Sequence, residues 1–194
     1  IPFLYTIENN DLSAQQTFTL TVGSGQIEDF ESGTLTTYEW QQSSYPWEIT
    51  SAEKYAGTYS ARSKTWNSGS GHGTTSFMTL PWTSTVNDSI SFYYKVSSET
   101  NYDYLAFYID NQEKLTASGT VGWTRAAFPV SAGTHTFKFS YVKDNSVSSG
   151  SDCAWVDNIT LPLNGIARHF TIDTVCQGQT YTMPTYTIAT TDSV

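Results

Sequence analysis

Apolar and polar side chains alternate at every second position along several runs of this chain, and that rhythm permits little besides antiparallel sheet. Ile90, Phe92, Tyr94 and Val96 alternate with Ser91, Tyr93 and Lys95. Leu105, Phe107 and Ile109 repeat the pattern up to a turn at Asp110-Asn111, and Phe137, Phe139 and Tyr141 repeat it after a turn at Ala132-Gly133. Successive strand side chains point to opposite faces, so each run has one face to bury. Short alternating runs at this spacing mean an antiparallel sandwich. Pro162 ends the last run, CAWVDNITL, because proline has no N–H to give a ladder. No stretch reads as a helix of normal length.

The chain has 194 residues, room for one sandwich of about 130–150 residues plus flanking pieces. Three segments separate by pattern. Residues 1–24 carry FLYTI, a turn around Asn9-Asn10-Asp11, and Phe18, Leu20 and Val22 alternating with threonines, which reads as the closing strands of an upstream immunoglobulin-like domain. Gly23-Ser24-Gly25 marks a joint. Residues 25–163 hold the sandwich. Residues 164–194, with HFTIDTVCQGQTYTMPTYTI, have too few strand-like pieces to bury a core and read as the start of a following β module.

Composition narrows the partners. Aromatic residues make up 15% of the chain and charged residues only 14%, which favours strands over a helical bundle. The net charge of -9 disfavours nucleic acid and acidic membrane surfaces, since phosphate contacts need Lys and Arg. It is compatible with Ca²⁺ and with neutral glycans or proteins. No apolar run approaches the length of a membrane span, so no membrane insertion is expected. Cys153 and Cys176 either pair in an oxidising compartment or leave Cys153 as a small buried hydrophobe.

One residue breaks the pattern of the last strand. At strand period Cys153, Trp155, Ile159 and Leu161 share a face, and Asp157 falls in the same row. A lone buried carboxylate is costly, so it must meet a cation, a set of backbone donors, or water.

The stretch from 29 to 162 carries an ordered set of pieces: DFESG, PWEIT, YAGTYSARS, SSETNYDYLAFYID, GWTRAAFPVSAGTHTFKFSYVKD and SGSDCAWVDNITLP. This set resembles the MAM-like, jelly-roll adhesion modules of secreted and surface proteins from Bacteroidetes and related bacteria. More distantly it is similar to gingipain adhesin domains and to carbohydrate-binding jelly-roll modules. The resemblance implies an all-β jelly-roll β-sandwich of antiparallel strands, here with flanking immunoglobulin-like fragments. It implies no catalytic activity, a secreted or cell-surface location, and one structural Ca²⁺ near the chain ends. The ion's expected ligands are Glu31, the Gly57 to Ser60 stretch (Ser60 included) and Asp157, with Asp29 and carbonyls completing the six to eight oxygens Ca²⁺ requires.

The rings divide by context. Trp155 and Trp123 lie in strand-like runs and read as core, and Trp47, after Pro46, reads as buried. Trp66 sits in KTWNSGSGHG, a Gly- and Ser-rich loop with little apolar surface to cover it. An exposed ring flanked by amides and hydroxyls suits a sugar face, or else a seam against a neighbouring domain. Trp40, Tyr102 and Tyr104 are further ligand-binding candidates of the same kind. Lys143, Asp144 and Asp152, around the loop NSVSSGS, form a charged run that offers a second ion site or a ligand loop but reads first as a solvated hairpin, with Lys143 pairing a carboxylate such as Asp103. Catalytic readings find no support: His72, His135 and His169 match no metal-ligand spacing, and GHGTTS lacks a positioned histidine partner. Three functions from different classes remain. They are an adhesin for host or extracellular protein, a glycan-binding module, and a spacer that contacts neighbouring domains of the same parent chain.

Overall fold

Each alternating run becomes a strand with one face turned into a common core. The computed structural model describes residues 16–21, 26–64, 73–164 and 167–172, with side chains described over 26–64 and 73–164. The strands are β1 (Gln16–Thr21), β2 (Gln26–Glu28), β3 (Gln41–Gln42), β4 (Glu48–Thr50), β5 (Ser60–Arg62), β6 (Thr74–Ser84) and β7 (Asp88–Ser97). They continue with β8 (Tyr104–Ile109), β9 (Gln112–Ser118), β10 (Thr120–Val130), β11 (Gly133–Lys143), β12 (Cys153–Leu161) and β13 (Ala167–Ile172). No described residue is helical.

Residues 22–166 form one unit of two antiparallel sheets. The first sheet runs β10-β7-β12-β5-β4, with β2 also paired to β12, and the second runs β3-β6-β11-β8-β9. The antiparallel sandwich expected from the alternation, in the jelly-roll form that the resemblance implies, is therefore the fold. The inward rows are those read from the sequence: Ile90, Phe92 and Val96 of β7, Leu105 and Phe107 of β8, and Phe137, Phe139 and Tyr141 of β11 are fully buried. Phe92 from the first sheet meets Phe107 and Phe139 from the second at 4.7 and 4.8 Å between ring centroids, and those two lie 4.7 Å apart. This aromatic triangle ties the layers together, in contact geometries that add about 0.5–1.5 kcal/mol per pair beyond burial.

The second unit comprises residues 1–21 and 167–194. Within it β1 and β13 pair antiparallel, from Gln16 opposite Ile172 to Thr21 opposite Ala167. The sequence reading placed these two strands in different modules, upstream and downstream of the sandwich; the strand pairing joins them.

One register detail governs the site. Asp157 of β12 lies opposite Tyr93, but the next aligned pair is Thr160 with Ser91, so β12 carries one more residue than β7 across this interval. Asn158 sits there with φ of 48°, a left-handed conformation that asparagine tolerates better than most residues. This bulge reverses the side-chain parity of the strand. Ala154 and Val156 before it, and Ile159 and Leu161 after it, all belong to the main core. Cys153, Trp155 and Asp157 therefore point to the opposite face, and the single row expected for Cys153, Trp155, Asp157, Ile159 and Leu161 is corrected. Asp157 is nonetheless fully buried, because the segment between β4 and β5 folds across that outer face.

Candidate functional site

The turn at residues 53–59 links β4 to β5, and two carboxylates from distant strands hold it. Asp157 Oδ2 accepts hydrogen bonds from the backbone N–H of Tyr55 at 2.8 Å and of Ala56 at 3.1 Å. Its Oδ1 accepts from the Asn158 N–H at 2.7 Å. Glu31, just after β2, takes the next two amides: Thr58 N–H at 2.8 Å and Tyr59 N–H at 2.9 Å both donate to Oε1. Gly57, between these pairs, has φ of 62°, and a Cβ there would overlap the Glu31 carboxylate. Glycine is thus required twice over, by backbone conformation and by space. The turn is closed from below by Ser60, whose buried hydroxyl donates to the Glu53 carbonyl at 2.6 Å.

Electrostatics differ at the two acids. Burial pushes the Asp157 carboxyl above its ordinary value; the amides of Ala56, Tyr55 and Asn158 pull it back only in part, and the charge of Glu31 raises it further. At Glu31 the amides of Tyr59 and Thr58 dominate and hold the carboxyl below its ordinary value. Neither acid forms an ion pair with Lys or Arg among the described residues.

Of the expected metal ligands, Glu31, Asp157 and Ser60 therefore meet at one turn. Asp29 is exposed and accepts a hydrogen bond from the Glu31 N–H at 3.1 Å, bracing the segment that carries Glu31. Two hard carboxylates without a paired cation fit Ca²⁺ in charge and ligand type. The oxygens with acceptor capacity to spare are Glu31 Oε2 and Asp157 Oδ1, since Asp157 Oδ2 and Glu31 Oε1 each already take two N–H donors.

The ring candidates fare differently. Trp66 lies outside the described residues. Trp40 is not a surface ring. It is 9% exposed, its indole N–H donates to Glu28 Oε2 at 3.3 Å, and it packs on Phe139. Its sequence context, YEWQQ, has no clear alternation, yet just before β3 it joins the core. Tyr102 is 59% exposed, and Tyr104 is half-buried beside a shallow hollow of about 380 Å³ with Asn101, Thr116, Ala117 and Ser118. Trp47 is core as expected, its indole donating to the Ser76 carbonyl. Trp155 is buried, but on the outer face with Lys95 5.5 Å from its ring, and Trp123 is only half-buried.

Two groups escaped the sequence reading, and a third was read only in part. Glu28 is buried on β2, accepting from the Phe30 N–H and from Trp40, with burial raising its carboxyl above the ordinary value. Tyr55 and Tyr93 stack on the outer face. The Lys143 corner was expected to be solvated and is not: the lysine side chain is fully buried. Its ammonium contacts both Asp103 oxygens, Asp144 Oδ1, and the carbonyls of Ser146 and Val147. Burial alone would lower the Lys143 pKa, but hydrogen bonds to Asp144 and Asp103 outweigh it and hold it above the ordinary value. The pairing with Asp103 was legible; the depth of the corner was not.

No family model matches the chain, and no curated protein matches it. Solved structures do. The K1 cleaved adhesin domain of Lys-gingipain from Porphyromonas gingivalis W83 superposes with a TM-score of 0.54 at 14% identity, covering 74% of this chain and 100% of that domain. The secreted serine protease VesC from Vibrio cholerae gives 0.51 at 16% identity over 69% of this chain, but only 27% of that protein. A carbohydrate-binding module solved with β-1,4-galactotriose gives 0.46 at 12% identity, over 68% of this chain and 92% of that one. At these identities the likeness is one of fold. The sandwich formed by residues 22–166 has the two-sheet architecture of the Lys-gingipain adhesin domains.

Proposed function

We propose that this chain is a non-catalytic adhesion or ligand-binding module of a larger protein, secreted or displayed at a cell surface. One observation carries the reading. A turn that displays an exposed tyrosine is fixed to the sandwich by four of its own backbone amides, two to Asp157 and two to Glu31. Locking a surface turn in one conformation removes the ordering cost that binding otherwise meets. The sheets supply rigidity and the loops supply contact, a division of labour common in binding scaffolds. The shared fold with adhesin domains supports the same reading, as does the chain's acidic, uncharged-aromatic composition.

The test is binding without turnover. The purified chain is passed over immobilised fibrinogen, fibronectin and collagen by surface plasmon resonance, and screened on a glycan array. Saturable binding to at least one, with the ligand recovered chemically intact, is expected. Silence on every surface would leave a spacer between domains as the function.

Calcium belongs to the same proposal. Glu31 and Asp157 bring two carboxylates to one turn with no Lys or Arg paired to either among the described residues, and an ion would offset the buried charge of Asp157. Calorimetric titration of Ca²⁺ into chelator-treated protein should release or absorb heat with one-to-one stoichiometry and raise the melting temperature. No heat and an unchanged melting temperature would remove the ion.

A further inference from the structure

Tyr55 rides on the turn held by Asp157 and Glu31, and its ring lies face to face on Tyr93 of β7. The ring centroids are 3.5 Å apart and the planes differ by 11°. Trp123 of β10 meets Tyr55 edge-on at 6.2 Å. One face of Tyr55 is spent on Tyr93, yet the residue is still 43% exposed, so its open side looks outward. Tyr93 and Trp123 are half-buried around it. Two of the three rings sit in adjacent strands of the first sheet, and the third is tied down through the amide of its own residue.

We infer that this ring cluster is the contact surface for a neutral pyranose chain. The inference rests on the binding-module reading and narrows it to one ligand class on one face. Pyranose rings present patches of C–H that pack on aromatic faces, with hydroxyls at the rim seeking hydrogen-bond partners. The rim here is suited to hydroxyls. Arg125 lies opposite Tyr93 in register, is exposed, and makes no ion pair or hydrogen bond among the described residues; its guanidinium carries five N–H donors suited to sugar hydroxyls. Lys95 and Glu53, also on this face, neutralise each other at 2.7 Å. An acidic polymer is disfavoured by the net charge of -9. A protein partner is disfavoured by area. Aromatic side chains bury roughly 150–250 Å² each when fully covered, and two of these three are already half-covered, so the patch offers a few hundred Å² against about 800 Å² for a standard protein interface. Preorganisation completes the case: tyrosine has few rotatable bonds, and the backbone beneath it is fixed.

Native gels containing soluble β-1,4-galactan, mixed-linkage β-glucan or β-1,4-mannan test this, with the full chain and its variants run side by side. The unaltered chain should be retarded in at least one gel. Tyr55→Ala should weaken that retardation at least fivefold while Val147→Ala, at an exposed side chain in the loop after β11, leaves it unchanged. Tyr55→Ala keeps the backbone N–H that Asp157 holds, so its melting temperature should stay close to that of the parent; should it fall, Trp123→Ala decides in its place. Equal retardation of the parent, Tyr55→Ala and Trp123→Ala would put the sugar site elsewhere, overturning this inference while the binding-module reading stands. No retardation in any gel overturns the glycan assignment, and the plasmon-resonance panel then decides the broader reading separately. A parent dimer that Tyr55→Ala makes monomeric on size exclusion also overturns it, in favour of a second copy on these rings.

Discussion

Replacing Asp157 with alanine removes the acceptor for three backbone N–H groups, those of Tyr55, Ala56 and Asn158. A hydrogen bond to a charged group contributes about 1.5–3 kcal/mol, and leaving a buried donor without a partner costs about 1–3 kcal/mol. Two of the three donors lie on a turn that can open towards water, and deletion also relieves a carboxylate that burial disfavours. The net loss should therefore be about 2–4 kcal/mol, well short of three full bonds. For a sandwich of this size that lowers the melting temperature by roughly 6–12 °C. Asp157→Asn keeps one oxygen for the turn but sets an NH₂ against the Asn158 N–H, so it should lose about 1–2 kcal/mol.

The pH dependence sharpens the test. The folded Asp157 pKa is raised above its ordinary value of 3.8, so the folded chain holds this proton more tightly than the unfolded one. Its contribution to stability is then greatest below the unfolded value and falls as pH rises through the folded value. In chelated protein, the stability gap between the parent and Asp157→Ala should narrow as pH rises above the ordinary value of 3.8. A bound Ca²⁺ would reverse the sign, since a neighbouring cation lowers the carboxyl pKa and the gap would then widen with pH. Thermal unfolding followed by circular dichroism at several pH values, with and without Ca²⁺, reads both trends. A melting temperature for Asp157→Ala within a degree of the parent at every pH would refute the reasoning.

Gly57→Ala combines a left-handed φ with overlap on Glu31, so it should destabilise by about 1–2 kcal/mol by urea titration; a neutral result would mean the turn is not held as described. Lys143→Met leaves Asp103 buried without its cation and should cost about 3–5 kcal/mol. With the folded Lys143 pKa raised, the stability it supplies is complete below its ordinary value of 10.5 and is lost as pH climbs through the folded value. Urea midpoints for the parent should therefore drop steeply at strongly alkaline pH while those of Lys143→Met change less. Cys153 is a buried free thiol whose pKa burial has pushed up to about 12. In a Cys176→Ser background it should resist maleimide at pH 8 until denaturant is added; rapid labelling of native protein, read by intact mass, would contradict its burial.

Much of this fold is written in two-residue alternation. Phe92, Phe107 and Phe139 each sit in a run whose pattern announces an inward face, and burial follows from the pattern alone. Asp157 shows where such reasoning stops. Its burial was expected from a row shared with Cys153, Trp155, Ile159 and Leu161; the residue is buried, but that row is not the reason. Its face was not legible, since one extra residue at Asn158 reverses parity and the bulge depends on the register with β7. Of the alternatives open to a buried acid, backbone donors are what Asp157 meets, and two of the three lie about a hundred residues away in the chain. Trp40 was misplaced for a related reason: it precedes β3, a strand only two residues long and too short to show a period. Tyr55 went unseen because its stack needs β7, β10 and a turn assembled together, and no local pattern in SAEKYAGTYS marks it. Lys143 lies between, with its partner Asp103 guessable from charge but its burial set by the loop that folds over it.

The most direct measurement is amide hydrogen exchange at Tyr55 and Ala56, resolved by NMR on the folded chain. Both lie in a turn with no strand ladder, and among the described residues the Asp157 carboxylate is their hydrogen-bond acceptor. If Asp157 holds the turn, both amides exchange orders of magnitude more slowly than neighbouring loop amides and become fast in Asp157→Ala. Unprotected exchange in the parent chain would show that the turn is free, and the platform it is said to carry would lose its foundation.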